Sequence, residues 1–319
     1  MPKSVVFLAA LNGDWVPGRV ASYLARHLSD EFEIVGMAGA HEPPPLGGVD
    51  VAIFPHFADL RLMSLLRPDT RIIVTVYDHF LWRWTRKQVD QLREALAMCD
   101  ALLVTNALIA SDMRAYVDLP PYVDTCQNGV DADLFSPGAP VVPRKSEALV
   151  VGWSGTDGPT KNLDLVRAIG TVPGVELRVQ DHAKWPRPFL SMPDWYRGLD
   201  LFACMSSSEG TPNPVLEASA CGIPWISTDV GNVRELYESV PDGLRPGIII
   251  AQQPALVLDE VRALTKERDR LPPMGAAGRQ AILEKWTWAQ RVEPFRRAIR
   301  AVIEKPVNRM RLTRRIRVF

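Results

Sequence analysis

The chain has 319 residues, 47% hydrophobic and 23% charged, and its 37 basic and 37 acidic side chains cancel. That length fits two domains rather than one core, and the balanced charge excludes a general field for nucleic-acid binding. Four scattered cysteines without a Cys-x-x-Cys pair read as reduced thiols of a cytoplasmic protein, not as a disulfide or zinc framework, and no apolar run approaches the ~20 residues of a membrane span.

Short apolar runs alternate with helical patterns along the chain. Val5–Leu11 follows Met-Pro-Lys-Ser, lacks a cleavage-site pattern and reads as a first strand rather than a signal peptide. Phe32–Met37, Val49–Phe54, Arg71–Tyr77, Ala101–Thr105 and Tyr122–Gln127 are the strands that follow, with helices clearest at Arg19–His27 and Lys87–Cys99. The Pro-rich interval Ser136–Pro143 reads as a linker, so the expected division is a first domain at 1–136, a linker at 137–147 and a second domain at 148–286. Strand patterns restart at Leu149–Trp153, Val175–Gln180, Leu199–Met205, Pro224–Thr228 and Gly247–Ala251. Strands alternating with helices predict an α/β fold of two doubly wound, Rossmann-like parallel sheets. A final helix at Thr287–Ile303 carries Val292, Phe295, Ile299 and Val302 on one stripe and is expected to pack back toward the first domain. Residues 308–319 interleave five arginines with apolar residues. This suits a peripheral membrane-surface or polyanion contact, and a solvated tail or packed segment is the alternative.

Open parallel sheets bind ligands beyond the carboxyl ends of their strands, so chemistry is sought in those loops. After the first strand, Asn12–Arg19 contains Gly13, which permits close approach to a ligand, and Trp15; an ordinary turn is the alternative. After the fourth strand stand Asp78, His79, Phe80, Trp82 and Trp84. His79 beside an acid suits a polar reaction centre, with His56 competing for that role, and the aromatics suit an acceptor wall or simple packing. The first strand of the second domain opens into a loop with Ser154, Gly155 and Thr156 that ends at Lys161. Its glycines and hydroxyls suit a phosphate, and a lysine at a helix start is unfavourable toward the macrodipole unless an anion is near.

The most informative stretch is residues 206–222. Glu209 sits in a turn-rich segment after a strand, and Glu217 eight positions on lies in a helix that begins near Pro214 and stops at Gly222. A helix N-terminus for an anion, between two carboxylates for hydroxyls, suits a ligand carrying both phosphates and diols. Neither a Walker loop nor a dinucleotide fingerprint occurs.

At Ser208-Glu-Gly-Thr-Pro-Asn-Pro-Val-Leu-Glu-Ala-Ser-Ala-Cys-Gly-Ile-Pro224, continuing through Ile226–Gly231 to Glu235 and Leu236, the chain resembles the retaining nucleotide-sugar glycosyltransferases of family 4, which have the two-domain GT-B fold. Asn128–Asp131 with Phe135 and Pro137, the loop ending at Lys161, and Trp286–Val302 agree with the same pattern. Over the first 120 residues the likeness is architectural only. The resemblance implies two domains facing a cleft, and transfer of a sugar from a nucleoside diphosphate to an acceptor hydroxyl with retention and without a metal cofactor. It implies that Glu209 contacts the donor sugar, Glu217 the ribose diol and Lys161 the diphosphate, with Gly210, Thr211, Pro212, Asn213 and Pro214 around sugar and phosphates. Trp15, Asp78, Phe80 and Trp82 are the acceptor-side candidates, the acceptor being a glycan, lipid or small molecule. Two positions depart from the family: Trp153 stands where an arginine is usual, and the family's histidine falls on Tyr77, leaving His79 as a shifted substitute. A catalytically weak nucleotide-sugar-binding protein or partner subunit is the alternative reading, and an epimerase or phosphorylase on the same fold a further one.

Overall fold

The computed structural model describes residues 3–9, 16–36, 47–55, 63, 65–77, 85–138, 147–240 and 244–305. The described residues up to 128 and from 288 to 305 form one compact unit, and those between 129 and 287 a second.

The first unit runs β1 (Val5–Leu8), α1 (Val16–Leu28), β2 (Glu33–Gly36), β3 (Val51–Phe54), β4 (Arg71–Val76), α2 (Arg86–Ala97), β5 (Ala101–Val104), α3 (Ala107–Arg114) and β6 (Tyr122–Thr125). All described strand pairings are parallel, in the order β2-β1-β3-β4-β5-β6. Successive side chains of a strand point to opposite faces. Phe7, Ala52, Phe54, Ile72, Val74 and Leu102 therefore pack with Leu92 and Leu96 of α2 and with Ile109 and Met113 of α3. Val6, Leu8, Val51, Ile53, Ile73 and Leu103 pack with Val20, Leu24 and Leu28 of α1. Covered on both faces, such strands read as continuous apolar runs, which made them visible in the sequence. Thr85 starts α2 with a capping box, its side chain and that of Gln88 reciprocally satisfying the two backbone N–H groups.

The second unit repeats the plan with β7 (Leu149–Gly155), α4 (Leu163–Ile169), β8 (Val175–Asp181), α5 (Met192–Arg197), β9 (Leu201–Cys204), α6 (Asn213–Ala220), β10 (Trp225–Ser227), α7 (Val233–Glu238), β11 (Gly247–Ile249), α8 (Pro254–Leu264) and α9 (Leu271–Ala281). The strand order is β11-β10-β9-β7-β8, again parallel. Leu149, Val151 and Trp153 of β7 face α4 and α8, while Val150 faces the layer that holds Tyr196, Val215, Leu216, Leu236 and Ala277. The Pro-rich interval does not mark the change of unit. Val130, Ala132 and Phe135 are buried in the second unit's core, and Arg279 of α9 donates from Nη1 to the carbonyls of Ala132 (3.0 Å), Phe135 (2.8 Å) and Ala220 (2.9 Å). One guanidinium thus fixes residues 132–135 and places a positive charge at the C-terminal end of α6, where a helix favours it.

The terminal helix is not continuous from Thr287. That residue is extended (φ −75°, ψ 157°) and bridges to Val130, whose N–H bonds the Trp286 carbonyl at 2.9 Å. The chain then re-enters the first unit as α10 (Trp288–Arg291) and α11 (Glu293–Glu304), with Pro294 in the first turn of α11. Trp288 stacks on Tyr23 at 5.1 Å, and Val292, Phe295, Ile299 and Val302 are buried against the β1/α1 layer. Removing each of those side chains from water contributes ~1.5–3 kcal/mol as an upper bound. Charged contacts ring this seam. Arg300 donates from Nε and Nη2 to both Glu31 oxygens at 2.7 Å, Arg296 reaches Glu31 at 2.6 Å, and Arg297 reaches Asp124 at 2.8 Å.

Hydrogen bonding from Arg300 holds the Glu31 carboxyl at about 2, against the opposing cost of burial. A carboxylate depressed in the folded state stabilises fully above its unfolded value of about 4.3, and that contribution fades as pH falls toward the folded value. Glu31→Gln is accordingly expected to lower urea-unfolding stability at pH 7 by about 1 kcal/mol, the half-exposed Arg300 guanidinium being screened by water. The gap between wild type and variant should close between pH 5 and pH 2, read by fluorescence-monitored unfolding at each pH.

Candidate functional site

Strand order locates the site in the second unit. From β7 the chain crosses to β8 on one side and then returns to β9 on the other, so the loops leaving β7 and β9 part company at the carboxyl edge. Such a switch point is where open α/β sheets take ligands. The loop after β7 ends at Lys161 and the loop after β9 carries Glu209, and these two side chains meet, Nζ to Oε1, at 2.5 Å. The pair is 31% and 14% exposed respectively, partly sheltered yet open on the cation's side.

Each member of that pair is aimed by its backbone. Asn162 directly after Lys161 is left-handed (φ 49°), a conformation asparagine tolerates better than most residues, and it turns the chain into α4. The Ser207 N–H donates to the Thr160 carbonyl at 2.8 Å, tying the two loops together. The Ser206 hydroxyl donates to Glu209 Oε1 at 2.7 Å, and the Thr228 hydroxyl to the Ser206 carbonyl at 2.5 Å. Burial and the neighbouring Glu209 charge push the Cys204 thiol up, so it stays neutral beneath the site.

The turn after β10 supports the Gly210–Pro212 stretch from below. Gly231 adopts φ +56°, and a Cβ there would stand 2.6 Å from the Gly210 carbonyl oxygen and 2.9 Å from Pro212 Cδ. Only glycine permits that approach. Helix α6 begins immediately afterwards at Asn213, with Pro214 in its first turn and Pro212 at the N-cap offering no side-chain cap. The Asn213 N–H is taken by the Thr211 carbonyl (2.8 Å), Pro214 has no N–H and the Val215 N–H is taken by the Pro212 carbonyl (2.9 Å), so this helix start offers the positive end of its dipole rather than free donors.

Glu217 belongs to a second polar cluster. Tyr196, fully buried on α5, donates its hydroxyl to Glu217 Oε2 at 2.7 Å. Ser154, next to last in β7, lies 3.0 Å from His182 Nε2. His182 is tied to the same strand end through its N–H to the Gly155 carbonyl at 2.9 Å. Sequence reasoning missed Tyr196 and His182. His182 directly follows the carboxyl end of β8, the position that singled out the other candidates; Tyr196 lies inside a helix, and nothing in the sequence marks it.

The other expected residues divide plainly. Gly155 sits over the Trp153 ring, 3.0 Å from a would-be Cβ to Cζ2, and Thr156 is exposed. Trp153 is buried in the β7/α4/α8 core, so the residue at the family's arginine position serves packing and brings no cation to the strand end. Tyr77, at the family's histidine position, hydrogen-bonds Thr75, and burial pushes its phenol well up. It borders a small apolar recess between α1 and the ends of β1, β3 and β4 instead of supplying an imidazole. Gly13, Trp15, His56, Asp78, His79, Phe80, Trp82, Trp84 and the basic tail 308–319 lie outside the described residues. All four cysteines are free and buried, and no helix among the described residues is long and apolar enough to cross a membrane.

Comparison with known proteins gives this geometry a context. The model of the family described as "Glycosyl transferases group 1" matches residues 134–267. The lipopolysaccharide core biosynthesis mannosyltransferase LpsB of Rhizobium meliloti is 37% identical over 116 residues, 36% of this chain and 31% of that protein. D-inositol 3-phosphate glycosyltransferase 1 of Catenulispora acidiphila is 26% identical over 254 residues, 66% of this chain and 59% of that protein. The chain thus spans about a third to three fifths of the length of these relatives. Among solved structures, a sucrose-phosphate synthase from Thermosynechococcus elongatus superposes with a TM-score of 0.75 at 12% identity, covering 94% of this chain and 99% of that one. Anabaena HepE in complex with UDP and glucose gives 0.72 at 13% identity, covering 94% and 100%. At such identities the likeness is one of fold. Over residues 134–267 the chain is similar to the group 1 glycosyl transferases, and its two units have the doubly wound fold of the GT-B glycosyltransferases.

Proposed function

We propose that this protein is a glycosyltransferase that moves a sugar from a nucleoside diphosphate to an acceptor hydroxyl with retention of configuration and without a metal cofactor. The observation that carries the reading is the Lys161–Glu209 pair at the β7/β9 switch point, beside the start of α6. Lys161 supplies a point charge to the leaving diphosphate, and the positive end of the α6 dipole adds to it. Glu209 accepts from the donor sugar's hydroxyls, and Glu217 from the ribose diol. Before the donor arrives the ammonium and carboxylate hold each other in place; afterwards they share the ligand. Charge that develops on the diphosphate as the glycosidic bond breaks meets groups already in position, which is where electrostatic preorganisation lowers a barrier.

A panel of nucleotide sugars with product analysis tests this reading. Lys161→Ala and Glu209→Gln are each expected to lower kcat/KM by about 100-fold or more, in line with the loss of one preorganised charge or acceptor. EDTA should leave the wild-type rate unchanged. Absence of donor binding by the wild type, or unaltered rates in both variants, would refute the assignment.

The Gly231 contact gives an independent check. Gly231→Ala forces the turn off Gly210 and Pro212, and its donor KM is expected to rise about 10-fold or more with little change in the far-ultraviolet spectrum.

One observation favours a second reading, a nucleotide-sugar-binding protein of weak catalytic power. Trp153 is buried, so β7 brings no second cation beside Lys161. Donor binding without turnover, restored by a co-expressed partner, would select it.

A further inference from the structure

The exit of β9 is pinned by the strands beside it. The Cys204 carbonyl accepts from the Thr228 N–H at 3.0 Å, the Met205 carbonyl from Gln252 Nε2 at 2.7 Å and the Ser206 carbonyl from the Thr228 hydroxyl at 2.5 Å. Three consecutive carbonyls are thus held by residues that follow β10 and β11. Ser206 and Thr228 are themselves buried. Ser207, next in the chain, donates its N–H to the Thr160 carbonyl at 2.8 Å and so ties this exit to the loop that carries Lys161.

From that fixed point one side chain reaches Glu209. Ser206 Oγ donates to Oε1 at 2.7 Å, and Lys161 Nζ meets the same oxygen at 2.5 Å. An ionised carboxylate only accepts, so the serine proton is committed to Glu209. The Cys204 thiol, 3.8 Å from Ser206 Oγ, adds a weak donor to the serine oxygen. Among the described residues Oε2 takes no hydrogen bond, and the Glu209 side chain keeps 14% of its surface exposed.

The two groups that hold Oε1 differ in what a ligand can do to them. Lys161 is a flexible cation, 31% exposed, and a diphosphate competes with Glu209 for its charge. The Ser206 hydroxyl turns about a single torsion on a buried backbone that four hydrogen bonds fix on either side, and no ligand reaches it. Glutamate has three side-chain torsions and costs entropy to order, so a tether that survives donor binding keeps the carboxylate aimed.

We infer that Ser206 is the positioning residue that keeps Glu209 in place once Lys161 turns to the diphosphate, holding Oε1 from the buried side and leaving Oε2 for the hydroxyls of the donor sugar. Thr228 acts on Glu209 through Ser206. This rests on the assignment of Glu209 to the sugar and Lys161 to the diphosphate under the proposed function. Neither Ser206 nor Thr228 touches the reacting bond.

Calorimetric titration of the full chain with UDP-glucose, UDP-N-acetylglucosamine and GDP-mannose, each beside its own nucleoside diphosphate, separates the sugar from the rest of the donor. Ser206→Ala is expected to weaken the best-bound sugar nucleotide about 10-fold, the loss of one hydrogen bond to a charged group. Affinity for the matching nucleoside diphosphate should stay within about twofold, which a general loosening of the loop would not allow. Thr228→Val, which keeps the shape and deletes the hydroxyl, should weaken the same sugar nucleotide about 3-fold, and Thr228→Ser should recover it. In a Glu209→Ala background Ser206→Ala should cost nothing further, whereas in a Lys161→Ala background it should still cost about 10-fold. Four results would each overturn the role of Ser206 and leave the donor reading in place: an equal loss for the nucleoside diphosphate, an unchanged affinity in Ser206→Ala, a further loss in the Glu209→Ala background, or none in the Lys161→Ala background. A wild type that binds none of the three sugar nucleotides overturns both.

Discussion

Parallel pairing is the constraint on which the rest depends. When every strand of a sheet runs the same way, all the carboxyl ends lie along one edge and all the return crossings must be made by helices. In the second unit this brings the exits of β7, β8, β9 and β10 to a common edge. Residues far apart in sequence become neighbours there without any local pattern demanding it: Lys161 with Glu209, Ser154 with His182, Gly231 with Gly210. The site is built from loop side chains, but its spacing is set by strands a few ångströms apart that hydrogen bonds hold in register.

Helix α6 shows how the same framework serves an electrostatic end. Its N-terminus follows the Gly210–Pro212 stretch that Gly231 supports, and its C-terminus is met by the Arg279 guanidinium. Burial makes Arg279 easier to deprotonate than a solvated arginine, yet three carbonyls gather around it. A charge anchored at one end of a short helix fixes the axis and hence the direction of its dipole at the other end.

Much of this was legible in the sequence, for identifiable reasons. Buried strands of a parallel sheet are apolar on both faces, so the runs from Val5 to Ile249 announced themselves, and Pro214 with Gly222 bracketed α6. Lys161 and Glu209 were each legible as residues of loops that follow strands, whereas the pairing of their side chains shows only in space. Other features were hidden because they depend on three-dimensional neighbours. The unit boundary near 128 falls where Val130, Ala132 and Phe135 find an apolar core and Arg279 finds their carbonyls, neither of which proline content reports. The break at Thr287 arises from a bridge to Val130, about 160 residues earlier in the chain. Trp153 carries the family's phosphate-side position in sequence and the core in space. Tyr196 gave no signal at all, since its partner Glu217 lies on a different helix.

The chain leaves the first unit at Asn128 and returns to it at Trp288. In a growing polypeptide every residue of the second unit is therefore joined before α11 is made. Until then the β1/α1 layer lacks the cover of Phe295, Ile299 and Val302. Exposed apolar surface of that kind is what chaperones bind and what drives misassembly. The first unit closes only when α11 is available, and a chain truncated before residue 293 would leave that face open.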